Sequence, residues 1–285
     1  MLGMPRPGTL WLVGTPIGNL KDLSERAREM LARADVIACE DTRITRKLLS
    51  LVGIRPTRLL SFYEGNERRR ISQVLGHLRD GWDVALVTDA GMPALSDPGY
   101  RLVAAAAGEG LAVDAVPGPT AAVTALVLSG LPTDRFAFEG FLPRKAAARR
   151  ARLEEIRDEA RTLVFYESPH RVGSFLADAA AVLGDRRAAL CRELTKMHQE
   201  VDRASLADLA ARRTEVRGEV VVVVEGAPEP PGPDMAPLAE RVDALVAGGM
   251  SRRDAVAVVA EESGASRNAL YEASLQDRAG PERED

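Results

Sequence analysis

Short apolar runs, each followed by a loop of Gly, Pro, Asp or Thr and then by a helical stretch, constrain the fold of this chain most. The runs cover residues 9–13, 35–39, 83–88 and 111–116 in the first half, and 135–138, 162–166, 188–191 and 219–225 in the second. Most are continuous rather than alternating, as expected of strands that are covered on both faces. Strands that alternate with helices predict an α/β fold with largely parallel sheets.

The pattern divides near residue 117, so we expect two α/β domains, at residues 1–117 and 118–227. Five prolines in the twelve residues 226–237 then predict a linker at 228–236. Helical stretches near 252–262 and 266–275 predict a small helical unit, with a polar tail, within residues 237–285.

Composition limits the possible partners. The net charge of −4 does not attract a polyanion, so a nucleic acid would have to bind local basic patches. Aromatic residues make up only 4%, which argues against broad base-stacking surfaces. Cys39 and Cys191 lie far apart in apolar runs and are expected to be free thiols of a reducing compartment. Without a spanning segment or a signal-peptide core, the chain is predicted to be cytoplasmic, with no membrane partner.

Polar loops follow the predicted strands at the end where parallel α/β sheets bind ligands. They lie at residues 14–19, 40–43, 88–99, 117–121, 139–145, 166–171 and 192–196. Any one of them alone is more often only a turn. Seven loops with polar and charged groups at the same end predict a cleft. Within the third loop, Asp97 and Pro98 predict the N-cap and first turn of the next helix.

Several familiar sites are absent from the sequence. It has no Gly-x-x-x-x-Gly-Lys-Ser/Thr loop, no Gly-x-Gly-x-x-Gly fingerprint and no Gly-x-Ser-x-Gly elbow. The three histidines are isolated, and no Cys/His pair has metal-ligand spacing. We therefore expect neither a P-loop nucleotidase, a hydrolase elbow, nor a protein-bound metal.

In this order, the loops resemble those of the tetrapyrrole methylase superfamily, the class III methyltransferases. The matching segments are Leu-Val-Gly-Thr-Pro-Ile-Gly-Asn-Leu, Cys-Glu-Asp-Thr-Arg, Thr-Asp-Ala-Gly-Met-Pro-Ala-Leu-Ser-Asp-Pro-Gly, Val-Pro-Gly-Pro-Thr-Ala, Gly-Phe-Leu-Pro-Arg-Lys, Phe-Tyr-Glu-Ser-Pro-His-Arg and Arg-Glu-Leu-Thr-Lys. The resemblance covers about residues 9–226 and extends to the helical tail. A corrin or porphyrin methylase would more typically open with Gly-Pro-Gly-Asp. The chain is thus more similar to the ribosomal branch, the small-subunit rRNA cytidine 2′-O-methyltransferases.

The resemblance implies two α/β domains with S-adenosylmethionine between them, a homodimer, and 16S rRNA or the small ribosomal subunit as the partner. It implies that the cofactor is held by two loops, with Pro16 on a third: Asp89, Ala90, Gly91, Met92 and Pro93, and Pro117, Gly118, Pro119, Thr120 and Ala121. Glycine and proline loops expose backbone that such a ligand can approach closely. The alternative is that both loops are only strand-to-helix turns.

A carboxylate base would assist the reaction, because a ribose hydroxyl is a poor nucleophile while it is protonated. The candidates at the ends of the predicted strands are Glu40, Asp41, Glu167 and Glu193, of which we favour Asp41 and Glu193. Each could equally be a carboxylate paired with a neighbouring arginine.

Basic residues cluster after the Gly-Phe-Leu-Pro segment, where Arg144, Lys145, Arg149, Arg150 and Arg152 precede the first acid, Glu154. Cations near a helix N-terminus oppose the helix dipole, so phosphate contact explains them better than a solvated helix start does. We add Arg43, Arg171 and Lys196, from other cleft loops, as predicted RNA contacts.

Two other functions compete with this interpretation. The helix–turn–helix outline of residues 252–275 would suit a DNA-binding regulator, but its second helix offers only Arg267 and Asn268 to base edges, so DNA is not expected as a partner. A tetrapyrrole methylase would use the same cofactor on a small flat substrate.

Overall fold

The structure, a computed structural model, describes residues 6–212, 216–228 and 234–276. The chain divides after Ala227 into two compact units. The first half of the first unit contains β1 (Thr9–Val13), a 3₁₀ turn (Leu20–Asp22), α1 (Glu25–Arg33), β2 (Val36–Cys39), α2 (Thr42–Leu51), β3 (Leu59–Ser61), α3 (Glu67–Arg79), β4 (Val84–Val87), α4 (Tyr100–Gly108) and β5 (Ala112–Val116).

The rest of this unit contains α5 (Ala121–Ser129), β6 (Phe136–Phe141), α6 (Ala146–Glu155), β7 (Thr162–Glu167), α7 (Val172–Leu183), β8 (Arg187–Arg192), β9 (Glu200–Ser205), α8 (Leu206–Arg212) and β10 (Val220–Val224). Among the described residues, β3 and β9 are the strands that the apolar runs did not predict. The predicted α/β class with two sheets is confirmed.

The first sheet has the strand order β3-β2-β4-β1-β5, and all its pairings are parallel. Every residue of β2 and β4 is buried, because helices cover both faces of the sheet centre. This explains why their sequences are continuous apolar runs. All these strands therefore end at one edge of the sheet, where the polar loops follow.

The second sheet is mixed, with the order β6-β7-β10-β8-β9. Strands β6 and β7 are parallel, whereas β10 runs antiparallel to both β7 and β8, and β8 pairs antiparallel with β9. Five consecutive buried valines form β10 at the centre of the sheet. Its apolar run reflects this central position rather than parallel pairing. Its direction brings the start of β10 beside the ends of β7 and β8.

The second unit contains α9 (Met235–Ala247), α10 (Arg252–Ser263) and α11 (Arg267–Gln276). Their apolar faces share a small core around Val242, Val256 and Leu270. The side chains of Asp234 and Ser251 cap the first two helices. Most of the predicted linker, residues 229–233, and the tail from 277 lie outside the described residues, and the predicted domain boundaries stay predictions.

Candidate active site

A cavity of about 250 Å³ lies between the two sheets of the first unit. The loops after β2 and β4 and the first turn of α5 form one side, and residues of β6, β7 and β10 form the other. The lining residues are Ile17, Glu40, Asp89, Ala90, Gly91, Met92, Leu95, Ser96, Asp97, Thr120, Ala121, Phe141, Tyr166, Glu219 and Val221. The loops that the sequence placed at one end of the strands thus enclose a common space.

Part of each predicted cofactor loop lines this cavity. Asp89 to Met92 contribute from one loop, and Thr120 and Ala121 from the other. Five residues predicted to bind the cofactor are outside the lining: Pro16, Pro93, Pro117, Gly118 and Pro119. Pro16 lines an adjacent cavity of about 540 Å³ together with Ile17, Asp89 and Ala90. The two loops therefore divide into residues that face the space and residues that support them.

Glycines allow these loops to pack closely against the end of β1. A Cβ on Gly14 would stand 2.6 Å from the Cα of Gly118, which is too close for any side chain. Gly91 has a φ of +85° and exchanges backbone hydrogen bonds with Thr15 in both directions, at 2.9 and 3.1 Å. The backbone of the Asp89–Met92 segment is fixed in the cavity wall by contacts that other residues would not permit.

The N-terminus of α5 points into the same space, and its first N–H groups are capped from two directions. Thr120 Oγ1 accepts a hydrogen bond from Val123 N at 3.4 Å. The hydroxyl of Tyr166, on β7, accepts one from Ala122 N at 3.2 Å. Tyr166 thereby joins the second sheet to the helix that follows the first.

Four carboxyl groups line the cavity: Glu40, Asp89, Asp97 and Glu219. Burial, followed by the charge of Asp89, raises the pKa of Glu40, and burial also raises the pKa of Asp89. Burial and then the charge of Glu40 raise the pKa of Asp97 from 3.8 to about 6. The prediction that Asp97 caps a helix is wrong, because α4 begins only at Tyr100 with Gly99 as its N-cap. The intervening turn carries Asp97 to the cavity wall.

The two favoured catalytic carboxylates are held by other groups. Asp41 caps α2 and forms an ion pair with Arg43, whose side-chain and backbone hydrogen bonds lower the pKa of Asp41 to about 2. Glu193 accepts hydrogen bonds from Lys196 Nζ at 2.7 Å and from Glu219 N at 3.0 Å, and these lower its pKa. Both match the alternative interpretation, a carboxylate paired with a neighbouring cation. We therefore do not retain either as the proton acceptor.

The predicted RNA-contacting cations fall into exposed and internal groups. Arg144 and Lys145 are exposed, as is the side chain of Arg43 at 86%. The prediction for Arg149 is corrected: its side chain is buried and bonds to Asp178, with Nε–Oδ2 at 2.7 Å. Arg150 is exposed but shares the same carboxylate.

Two other predicted contacts also have internal partners. Arg171 donates to the carbonyl of Leu142 at 2.9 Å and pairs with the buried Glu167. Lys196 pairs with Glu193 and Glu219. The contacts of these two cations hold cleft loops in place. These contacts would have to break before either cation could bind a phosphate.

Across residues 6–212, 216–228 and 234–276, no group of three or more His, Cys, Asp or Glu is arranged to hold a metal ion. Within the same ranges, no helix has both the length and the apolar character needed to cross a bilayer.

Family models assign most of the chain. Residues 9–210 match the model described as Tetrapyrrole (Corrin/Porphyrin) Methylases. The chain belongs to the tetrapyrrole methylase family. Residues 233–278, which contain the helical unit, match a second model, described as the RsmI C-terminal HTH domain.

Relatives within the tetrapyrrole methylase family agree with that branch. A ribosomal RNA small subunit methyltransferase I from Micromonospora olivasterospora is 50% identical over 280 residues, covering 96% of this chain and 89% of the relative. One from Mycobacterium bovis is 48% identical over 275 residues, covering 95% and 96%. The crystal structure of uroporphyrin-III C-methyltransferase from Thermus thermophilus shares the fold, with a TM-score of 0.55 and 23% identity over 76% of this chain and 97% of that one.

Asp97, Phe141, Tyr166 and Glu219 are among the residues of this tetrapyrrole methylase cavity that sequence reasoning missed. The first three lie in loops that the sequence predicted to form the cleft. The sequence therefore indicated where these residues lie but not what they do. Glu219 lies at the start of a strand, and only the antiparallel direction of β10 brings it to the cleft.

Proposed function

We propose that this protein transfers a methyl group from S-adenosylmethionine to the ribose 2′-hydroxyl of a cytidine in 16S rRNA, in the decoding region of the small subunit. The observation that carries the proposal is the 48–50% identity, across nearly the whole chain, to ribosomal RNA small subunit methyltransferase I. The cavity between the two sheets supplies a place for the methyl donor.

The residues of the cavity fit S-adenosylmethionine. The segment around Gly91 presents backbone, and the N-terminus of α5 presents Thr120 and Ala121, to a ligand that carries both polar and apolar parts. Phe141 and Tyr166 form an aromatic wall with ring centroids 5.5 Å apart. The carboxyl groups of Glu40 and Asp89 favour a cationic sulfonium in a partly desolvated site. Bound here, S-adenosylmethionine supplies an electrophilic methyl group.

The protein's part in the reaction is alignment of the acceptor oxygen with that methyl group. Methyl transfer is an in-line displacement, and the positioning of reactants alone can lower the barrier by several kcal/mol, up to roughly 7–11. The tight Gly14–Gly118 contact and the Thr15–Gly91 hydrogen bonds give the cavity wall the rigidity that such alignment requires.

Phosphate contacts are proposed for the exposed cations Arg43, Arg144, Lys145 and Arg150. Replacing both Arg144 and Lys145 with alanine should flatten the salt dependence of rRNA binding by roughly 0.7 to 0.9 in the log–log slope for each phosphate that is no longer neutralised. A matched control is Arg68→Ala with Arg69→Ala, which removes the same charge from an exposed face of α3. Equal slopes for the two double variants would place Arg144 and Lys145 outside the interface.

A homodimer in the cytoplasm completes the proposal. The family resemblance implies the dimer, and α5 offers a surface for it: the helix is apolar all round, yet Val123 and Val127 are 47% and 64% exposed. Exposed apolar side chains on such a helix favour burial against another chain. A second copy is the occupant that we assign to this face.

Purified protein, labelled S-adenosylmethionine and three acceptors would test the function: small ribosomal subunits, naked 16S rRNA and a porphyrinoid. We expect label in the rRNA of the subunits, recovered after digestion as 2′-O-methylcytidine. Transfer to the porphyrinoid alone would make the protein a tetrapyrrole methylase by activity. Binding of duplex DNA at moderate salt without any methyl transfer would instead support a regulator.

A further inference from the structure

Two cavities meet at Asp97. One is the cavity between the sheets, and the other is a space of about 340 Å³ between the loops that lead into α3 and α4. Glu40, Ser96 and Asp97 line both, so the two cavities adjoin at these residues. A group that enters the second cavity would therefore lie next to a ligand in the first at Asp97.

The loop that carries Asp97 is held in an uncommon conformation. Ala94 and Ser96 have φ values of +68° and +63°, in the left-handed region that non-glycine residues rarely adopt. Backbone strain of this kind persists only where surrounding contacts enforce it, and it concentrates at functional sites.

Those enforcing contacts come from two directions. The buried Glu67, on α3, accepts a hydrogen bond from Gly99 N at 3.1 Å and pairs with Arg101. On the opposite side, a Cβ at Gly140 of β6 would stand 3.1 Å from Ser96 Oγ, so the second sheet packs directly against the loop. Asp97 is thus positioned by long-range contacts rather than by its local sequence.

The surroundings of Asp97 suit a group that exchanges a proton near neutral pH. Glu40 and Asp89 face it from the ends of β2 and β4, and Tyr166 approaches from β7. Glu67 and Arg101, which pair with each other, belong to the second cavity. Burial and the charge of Glu40 outweigh a hydrogen bond from the Thr88 side chain, and the pKa of Asp97 rises to about 6. Asp41, by contrast, has a pKa of about 2 and would be a much weaker base.

We propose that Asp97 is the general base that removes the proton of the acceptor hydroxyl, with the acceptor nucleoside entering through the second cavity. This inference rests on the proposed function. In the step, the ribose 2′-oxygen bonds to the methyl carbon, and the carbon–sulfur bond breaks with its electron pair passing to sulfur. The hydroxyl proton moves to the Asp97 carboxylate, from which solvent removes it after the product leaves.

The chemistry of the second cavity agrees with this direction of approach. Glu40 and Glu64 line it beside Asp97, and their charge disfavours phosphate there, whereas Arg101 is paired with Glu67. A ribose with its base carries hydroxyl and amino donors, for which carboxylates are acceptors. Tyr100, 73% exposed at the same cavity, offers a ring on which a base can stack. The nucleoside would thus enter while its phosphates remain outside.

The test is Asp97→Asn, assayed on small ribosomal subunits with S-adenosylmethionine across pH 5 to 9. Loss of a general base should lower kcat by roughly 10²- to 10⁴-fold. Calorimetry should show S-adenosylmethionine affinity close to that of the wild type, and KM for subunits should stay unchanged. The wild-type rate should fall as the pH drops through about 6, where Asp97 becomes protonated, and the residual rate of the variant should lack this fall.

Asp134→Asn, an exposed residue outside both cavities, is the matched control and should behave as the wild type. Asp97→Glu keeps a carboxyl group and should retain part of kcat together with the acidic fall, even if Asp97→Asn folds poorly. A normal kcat for Asp97→Asn, an acidic fall that survives in it, or a loss of cofactor affinity would each overturn the assignment. Failure of the wild type itself to methylate subunits would overturn the proposed function instead.

Discussion

Arg149 and Arg150 are adjacent in the sequence but differ in what they contribute to the fold. Both bind Asp178, yet the side chain of Arg149 is 5% exposed and that of Arg150 is 63% exposed. Removing a buried partner of an ion pair costs far more than removing an exposed one, because water cannot replace its hydrogen bonds to the carboxylate. The basic run therefore combines a structural cation with surface cations.

We expect Arg149→Ala to lower the free energy of unfolding by roughly 3 kcal/mol, the low end of the range for a broken buried pair, because Arg150 still neutralises Asp178. Arg150→Ala should lower it by less than about 1 kcal/mol. Urea denaturation at neutral pH would measure both. Equal, small losses would show that Arg149 is dispensable for folding and restore it as an RNA contact.

The same pair has a defined pH dependence. Burial alone would raise the pKa of Asp178, but hydrogen bonds from Arg150 and Arg149 outweigh it and lower the pKa below 3.8. A carboxyl group with a lowered pKa stabilises the fold above its ordinary value, and the stabilisation is lost on acidification. The stability difference between the wild type and Arg149→Ala should thus shrink below about pH 4.

Ala121 tests the cofactor cavity at the scale of one side chain. Ala121→Phe should fill the space that it lines and abolish S-adenosylmethionine binding in calorimetry while the protein stays folded. Ala104→Phe, the same change at an exposed position of α4, is the control and should bind normally. Undiminished cofactor affinity in a folded Ala121→Phe variant would move the cofactor elsewhere.

The sequence predicted which loops form the site better than it predicted what each side chain does there. The loops at the cleft could be located because strands and turns have local signals. The roles depend on distant partners: Asp178 lies 29 residues from Arg149, and Glu67 lies 32 residues from Gly99. No local pattern indicates that Asp97 belongs to a cavity wall rather than to a helix cap.

At the scale of elements, strands with strong apolar runs were predicted within a few residues, and the two exceptions have physical causes. β3 has only three residues, too few for a recognisable run. β9 is the polar edge strand Glu200–Ser205, which β8 recruits through antiparallel pairing. Edge strands often carry charged side chains, which discourage pairing with another chain. The antiparallel direction of β10 could not be predicted from the sequence either. A central strand is buried on both faces whether it runs parallel or antiparallel to its neighbours.

Helix α5 connects the cavity to the proposed dimer. Its N-terminus is capped by Thr120 and Tyr166, and Arg203 donates to the carbonyls of Leu128 and Ser129 at its C-terminus. Both ends are therefore fixed, and the exposed valines between them form a rigid apolar surface. Such a surface loses little conformational entropy when another chain covers it.

We expect Val127→Glu to weaken the dimer, because burying an unpaired carboxylate at an apolar interface is costly. Sedimentation velocity over a range of concentrations should show a larger monomer fraction than for the wild type. Val258→Glu, the same change at an exposed valine of α10, should leave the distribution unaltered. A wild-type protein that is monomeric at all concentrations would refute the dimer itself.

At the scale of the whole molecule, the first unit holds both sheets and the complete cavity, whereas the helical unit has only a small core of its own. A chain that ends at residue 228 should therefore fold and bind S-adenosylmethionine with normal affinity. It should methylate subunits with a raised KM, because we expect the helical unit to help in docking the substrate. Loss of cofactor binding, or an unchanged KM, would show that this division of roles is wrong.

The central position of β10 also has a consequence for the order in which the protein can be completed during synthesis. The first sheet has all its strands once residue 116 has left the ribosome, but the second lacks its middle until residue 224. At roughly 5–20 residues per second, the 32 residues between Arg192 and Val224 take about 2–6 s to synthesise, and β7 and β8 lack their central partner for that time. The valine run that finally joins them is itself prone to aggregation until it is covered. A translational pause between residues 192 and 224 would prolong the exposure of those edges to other nascent chains.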